Sequence, residues 1–157
     1  MIFVTVGTHP RSFNRLLETV DELIENGKIK DEVVMQIGHS TYEPKNARWF
    51  RFKDYKKIED LNKKARLIIS HGGAGCILTA LNFGKPVIAV PRLKKFNEHT
   101  DDHQIDLVTV LSKNGKVLSV FNVRNLWDAI SNVKKTNNIK TTKCLLCNDI
   151  RDYLNSL

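Results

Sequence analysis

Cysteine is scarce in this chain: three residues in 157, an odd number that no disulfide framework would use. Two of them form Cys144-Leu-Leu-Cys147, near the C-terminus rather than at a helix start after an early strand. Only Cys76 remains as a further thiolate, so a zinc ribbon lacks its second pair. The spacing reads as two small residues on a terminal helix. Long apolar runs are missing too. None approaches the roughly 20 residues that cross a bilayer. The apolar start, Met1 to Val6, has no basic flank and soon meets Gly7 and Pro10, which argues against a secretory signal. The expected location is therefore the cytoplasm. Negative charge is also short: 17 Asp and Glu face 25 Lys and Arg, a formal charge of +8. That excess favours phosphates, nucleic acid or an acidic membrane surface as partner. An aromatic stacking motif and a recognition-helix pattern are both missing, which turns the expectation away from nucleic acid.

What is present is enough to fold. Apolar residues make up 41%, and the length suits one domain over residues 1–133. Strands are expected at 2–6, 33–37, 49–52, 67–70, 86–90 and 117–120. Helices are expected at 12–26, 58–65, from after Gly75 to 83, 101–113 and 123–133. Phe13, Leu16, Leu17, Val20, Leu23 and Ile24 keep the spacing of one buried helical face, with Ser12 as its N-cap. Residues 134–143 read as a polar linker and 144–157 as a last amphipathic helix, able to pack on its own domain or to meet a partner. Strict alternation of strand and helix predicts an α/β fold, a Rossmann-like open parallel sheet with helices on both faces. Ligands of such sheets bind at the carboxyl ends of the strands. The informative loops are then 7–12, 38–47, 70–75 and 91–104.

Two of these loops are built for close approach. His71-Gly72-Gly73-Ala74-Gly75 joins a strand to a helix, and Gly7-Thr8 makes a second turn of the same kind. Glycine lets backbone N–H groups reach a phosphate, and a helix N-terminus adds positive potential. Neither is the dinucleotide fingerprint or a P-loop, and each also serves as a plain tight turn. His9 and His71 carry the same ambiguity. The stretch from Pro91 to Gln104 is dense in hydrogen-bonding side chains, with Asp101 placed to cap a helix. Asp102, His103 and Gln104 fall in its first turn. Such groups suit sugar hydroxyls. His99 and His103 have the spacing of a helical metal pair, but residue 99 falls in loop and no third ligand is evident, so no metal is expected. For His103, acid–base work stays open beside ligand binding and capping.

Taken in order, Phe3-Val4-Thr5-Val6-Gly7-Thr8, Ser70-His71-Gly72-Gly73-Ala74-Gly75, Gly84-Lys85-Pro86-Val87-Ile88-Ala89-Val90-Pro91-Arg92 and Glu98-His99-Thr100-Asp101-Asp102-His103-Gln104 resemble the glycosyltransferase family 28 C-terminal domain. That is the donor-binding half of a GT-B fold. Within the family the chain looks like stand-alone, PssE-like subunits of bacterial exopolysaccharide and capsule transferases. It is also similar to the soluble subunit of the eukaryotic dolichol-linked N-acetylglucosamine transferase. The resemblance implies a UDP-sugar as substrate, no metal, and a membrane-anchored partner that supplies the acceptor half. The pair would then work at the inner face of a membrane. By position, Gly7, Thr8, Gly72, Gly73, Ala74 and Gly75 would surround the diphosphate, with His71 beside them. Arg92 would flank the uracil or phosphates, and Asp101, His103 and Gln104 would meet the sugar. The resemblance leaves the catalytic base unassigned here. One position departs from the family: Thr79 stands where a glutamate usually holds the ribose hydroxyls. A non-catalytic enhancer of a partner transferase is the alternative role.

Overall fold

The computed structural model describes residues 1–135. Strands β1 (Ile2–Thr5), β2 (Val33–Gln36), β3 (Arg48–Phe50), β4 (Leu67–His71), β5 (Val87–Val90) and β6 (Leu118–Ser119) alternate with helices. The helices are α1 (Asn14–Glu25), α2 (Tyr55–Lys64), α3 (Ala74–Asn82), α4 (His103–Lys113) and α5 (Leu126–Lys135). All strand pairs are parallel, in the order β3-β2-β1-β4-β5-β6. This is the doubly wound sheet that the alternation predicts. Its order reverses between β1 and β4, which opens a crevice at their carboxyl ends.

The central strands β1, β4 and β5 are buried on both faces because helices cover both. Ile2, Val4, Leu67, Ile69, Ile88 and Val90 pack with Leu16, Leu17 and Val20 of α1 and Leu126 and Ile130 of α5. Phe3, Ile68, Val87 and Ala89 face the other way, onto Ile77 and Ala80 of α3 and Leu107, Val108 and Leu111 of α4. Ile58 and Leu61 place α2 on that second face.

Several helix boundaries differ from expectation; α3, for one, already starts at Ala74, with Gly73 at its N-cap. Helix α1 starts at Asn14 without a side-chain cap. Ser12 points its hydroxyl to the His39 carbonyl instead, while the Phe13 N–H is taken by Ser40 Oγ at 2.9 Å. Helix α2 begins three residues early, because Asp54 caps it by accepting from the Lys57 N–H at 2.9 Å. Helix α4 begins at His103, since Asp101 turns back on the His103 N–H at 3.0 Å and Asp102 accepts from the Lys94 N–H at 3.0 Å. Helix α5 runs past residue 133 to Lys135. The rest of the expected linker and the helix at 144–157, with Cys144 and Cys147, lie outside the described residues. No described helix is long and apolar enough to cross a membrane.

Candidate functional site

The crevice at the β1–β4 reversal is a cleft of about 460 Å³. Its inner wall is the Gly7-Thr8 turn and the His71-to-Gly75 loop, and Thr5 and Gln36 lie beneath. Thr5 Oγ donates to Gln36 Oε1 at 2.7 Å and accepts from the Gly7 N–H at 3.2 Å, so the turn after β1 is tied to two strands. Helix α3 has Gly73 at its N-cap with no side-chain hydrogen bond. Its first-turn N–H groups are thus left for a ligand or water.

His71 organises this wall. It is 7% exposed, and its Nδ1 lies 3.4 Å from the Thr5 carbonyl. A carbonyl only accepts, so Nδ1 carries the proton and Nε2 is left as an acceptor at the cleft wall. Burial, aided by the positive Arg92, pushes the imidazole pKa down to about 4. The ring is therefore neutral at physiological pH. Two glycines are needed to admit it. A Cβ on Gly7 (φ 70°) would sit 2.6 Å from Nε2, and one on Gly73 only 2.3 Å from it. Gly75 differs, since a Cβ there meets nothing within 4 Å.

Of the residues expected to bind ligand, Gly7, Thr8, His71, Gly73, Gly75 and Thr79 come together around this cleft. Gly72 and Ala74 support it from behind. Gly72 lies against Gln104 and Val108, and Ala74 packs on the α3–α4 core. The Thr79 hydroxyl donates to the Gly75 carbonyl at 2.9 Å, keeping its lone pairs for accepting.

Arg92 requires a correction. Instead of flanking a base or phosphate, it is fully buried. Its guanidinium donates to the carbonyls of Val6 (2.8 Å), Arg11 (2.8 Å), Ser12 (3.3 Å) and Glu98 (3.2 Å) and lies over the Phe13 ring. Burial lowers its pKa to about 10, which still leaves it charged. Arg92 clasps the loop after β1 to the loop after β5. Arg15 strengthens the clasp with a bidentate pair to Glu98 (2.9 and 2.8 Å), and His9 stacks on His99 at 4.5 Å.

The sugar-end expectation is only partly realised. Gln104 Oε1 accepts from the Arg92 N–H at 3.0 Å, so one end of its amide is spent on the clasp. Asp101 accepts from the His103 N–H and from Thr100 Oγ, and the N–H contact leads in holding its carboxyl below the usual range. His103 is exposed at the start of α4, with Asp106 4.0 Å away. His99 sits in the loop beside Asp101. The two histidines are not on one helix, so the helical metal pair is not formed.

The other wall was not foreseen. Lys53, Tyr55, Ile58 and Asn62 reach the cleft from the start of α2, and Cys76 joins from α3. Asp54 was the missed signal: read as an N-cap, it brings Tyr55 to the carboxyl edge of the sheet. Burial raises the Cys76 thiol pKa, so the cleft's only cysteine among the described residues stays protonated.

Comparison with known proteins gives the same picture. The human protein "UDP-N-acetylglucosamine transferase subunit ALG13" is 37% identical over 125 residues, covering 73% of this chain and 10% of that protein. The chain thus spans about a tenth of the curated relative's length. Among solved structures, the kitacinnamycin glycotransferase superposes with TM-score 0.63 at 18% identity, over 88% of this chain and 35% of that one. The glycosyltransferase SsfS6 from Streptomyces sp. SF2575, complexed with thymidine diphosphate, gives 0.60 at 19% identity, over 96% and 35%. These likenesses establish the fold as one half of a GT-B architecture. The family model for the glycosyltransferase family 28 C-terminal domain matches residues 1–149, and the chain belongs to that family.

Proposed function

We propose that this chain is the UDP-sugar-binding half of a two-component glycosyltransferase. A membrane-anchored partner supplies the acceptor half, and a hexose moves to a lipid-diphosphate-linked acceptor in polysaccharide synthesis. The observation that carries this reading is the cleft at the β1–β4 reversal, walled by Gly7-Thr8 and the uncapped start of α3. Backbone N–H groups and a helix N-terminus suit a diphosphate. The half-apolar wall of Tyr55, Ile58 and Cys76 suits the nucleoside.

In the reaction an acceptor hydroxyl attacks the anomeric carbon, and the bond to the UDP β-phosphate oxygen breaks. The departing charge falls where the N–H groups of the glycine loop can stabilise it without a metal. The hydroxyl proton passes to a base on the partner. A single half leaves the anomeric carbon facing water, so orientation and water exclusion depend on closure by the second half.

The sugar is galactose or N-acetylglucosamine, and the likeness to a human UDP-N-acetylglucosamine transferase subunit leans to the latter. Transfer of radiolabelled sugar from UDP-galactose or UDP-N-acetylglucosamine to a polyprenyl-diphosphate sugar tests this. Transfer is expected only when both chains are present. Transfer by the partner alone at the same rate would point to the enhancer role. Thr79 favours that second role, since its short neutral side chain replaces the ribose-binding carboxylate.

A further inference from the structure

We propose that the sheet edge formed by β3 and α2 is a docking surface for an anionic membrane. Residues 45–66 hold nine Lys and Arg against three Asp and Glu, which is six of the chain's eight net positive charges. The same segment carries three of the five exposed large apolar side chains among the described residues: Trp49, Phe52 and Tyr55, at 37%, 47% and 68% exposure. Residues 51–57 are exposed without interruption, and β3 is an edge strand of the sheet.

The charge chemistry selects the partner. Arg48, Arg51 and Arg66 are each engaged with a carboxylate of this chain: Glu32, Glu43 and Asp31. Arg66 is held by both oxygens of Asp31, and Arg51 by Gly38, Ser40 and Glu43, which leaves these two forks less free to read nucleic-acid phosphates in pairs. Lys53, Lys56 and Lys64 have no ion pair among the described residues. Flexible lysines around exposed aromatic rings suit a diffuse anionic lipid surface, where rings settle at headgroup level and ammonium groups remain wet. Asp54, between Phe52 and Tyr55 in the chain, is already used by the α2 cap and by Lys57 at 2.9 Å. Lys53 and Tyr55 also line the donor cleft. A membrane held at this edge therefore lies beside the cleft mouth, where a lipid-linked acceptor must arrive. That consequence rests on the donor-binding reading; the lipid contact itself does not.

The test is co-sedimentation of the full chain with phosphatidylcholine vesicles, with and without phosphatidylglycerol. Binding is expected only with phosphatidylglycerol, and it should weaken as salt rises. The double variant K56E/K64E should lose at least about 25-fold in partition, about fivefold for each lysine. Trp49→Ala with Phe52→Ala should lose about tenfold at unchanged lysine charge. In a Trp127→Phe background, Trp49 emission should shift to the blue on anionic vesicles. UDP-sugar titration of K56E/K64E should match the native chain, because neither lysine lines the cleft. Absence of native binding to phosphatidylglycerol vesicles overturns the proposal, as does undiminished binding by both variants. Retention of an RNA oligonucleotide but not of vesicles overturns it in favour of nucleic acid. Failure of the native chain to bind UDP-sugar would instead sink the donor reading and leave this one standing.

Discussion

His71 carries a proton balance that unfolding would reset. Its folded pKa is about 4, against an ordinary value of 6.5. Between those values the unfolded chain binds more protons, so stability rises with pH. The His71 contribution is complete above pH 6.5 and is lost as pH falls toward 4. Its full size is about 3 kcal/mol. Urea unfolding across this range should show the slope, and His71→Asn should flatten it; an equal slope in the variant would place the titration elsewhere. Gly75 separates fold from ligand. Gly75→Ala fills open space in the first turn of α3, so thermal unfolding should be unchanged or improved by up to about 1 kcal/mol. UDP affinity should nevertheless fall, because the methyl group enters the cleft. Thr79→Glu is expected to act in the opposite sense. A carboxylate accepting from ribose hydroxyls should tighten UDP binding by about tenfold. No change would mean that the ribose is held by other groups.

The clasp between the loops after β1 and β5 is the element that shapes the cleft's inner wall. Arg92→Met would leave four carbonyls without their donor and should cost about 3–5 kcal/mol in chemical denaturation. Arg92→Lys should fail nearly as badly, since one ammonium cannot span carbonyls that a fork spans. A loss below about 1 kcal/mol for either variant would show that the loops hold without the clasp. Arg92 also marks the limit of what could be read from sequence. Apolar patterning located every strand and α-helix among the described residues, because burial on both faces leaves a plain apolar run in β1, β4 and β5; the 3-10 turn at Lys94–Phe96 lay in what reads as loop. The glycine turns at residues 7 and 73 were legible as close-approach sites. Their first demand turned out to be the His71 ring, 2.3 Å from where a Gly73 Cβ would sit. The role of Arg92 was hidden because its partners are backbone carbonyls up to 86 residues away, which no side-chain pattern encodes. The α2 wall was hidden for a different reason. Asp54 lies within a basic run, where a solitary acid reads as charge balance and not as a cap.

At the scale of the whole molecule, the fold of the chain matches one half of a GT-B architecture. It covers 35% of the glycosyltransferase chains it superposes on. Its cleft opens at the carboxyl edge of the sheet, where a second half would close. The charge is lopsided as well, gathered on the β3–α2 edge beside the cleft mouth. On the proposed reading, the lipid surface would hold the edge, the cleft would hold the donor, and closure by the partner would bring the acceptor. The central claim is that the cleft holds UDP, and calorimetric titration of the full chain tests it most directly. The account predicts saturable one-to-one binding of UDP to the native chain, abolished by Gly75→Leu at an unchanged unfolding temperature. Absence of saturable binding to a folded native chain, or equal binding by Gly75→Leu, would contradict it.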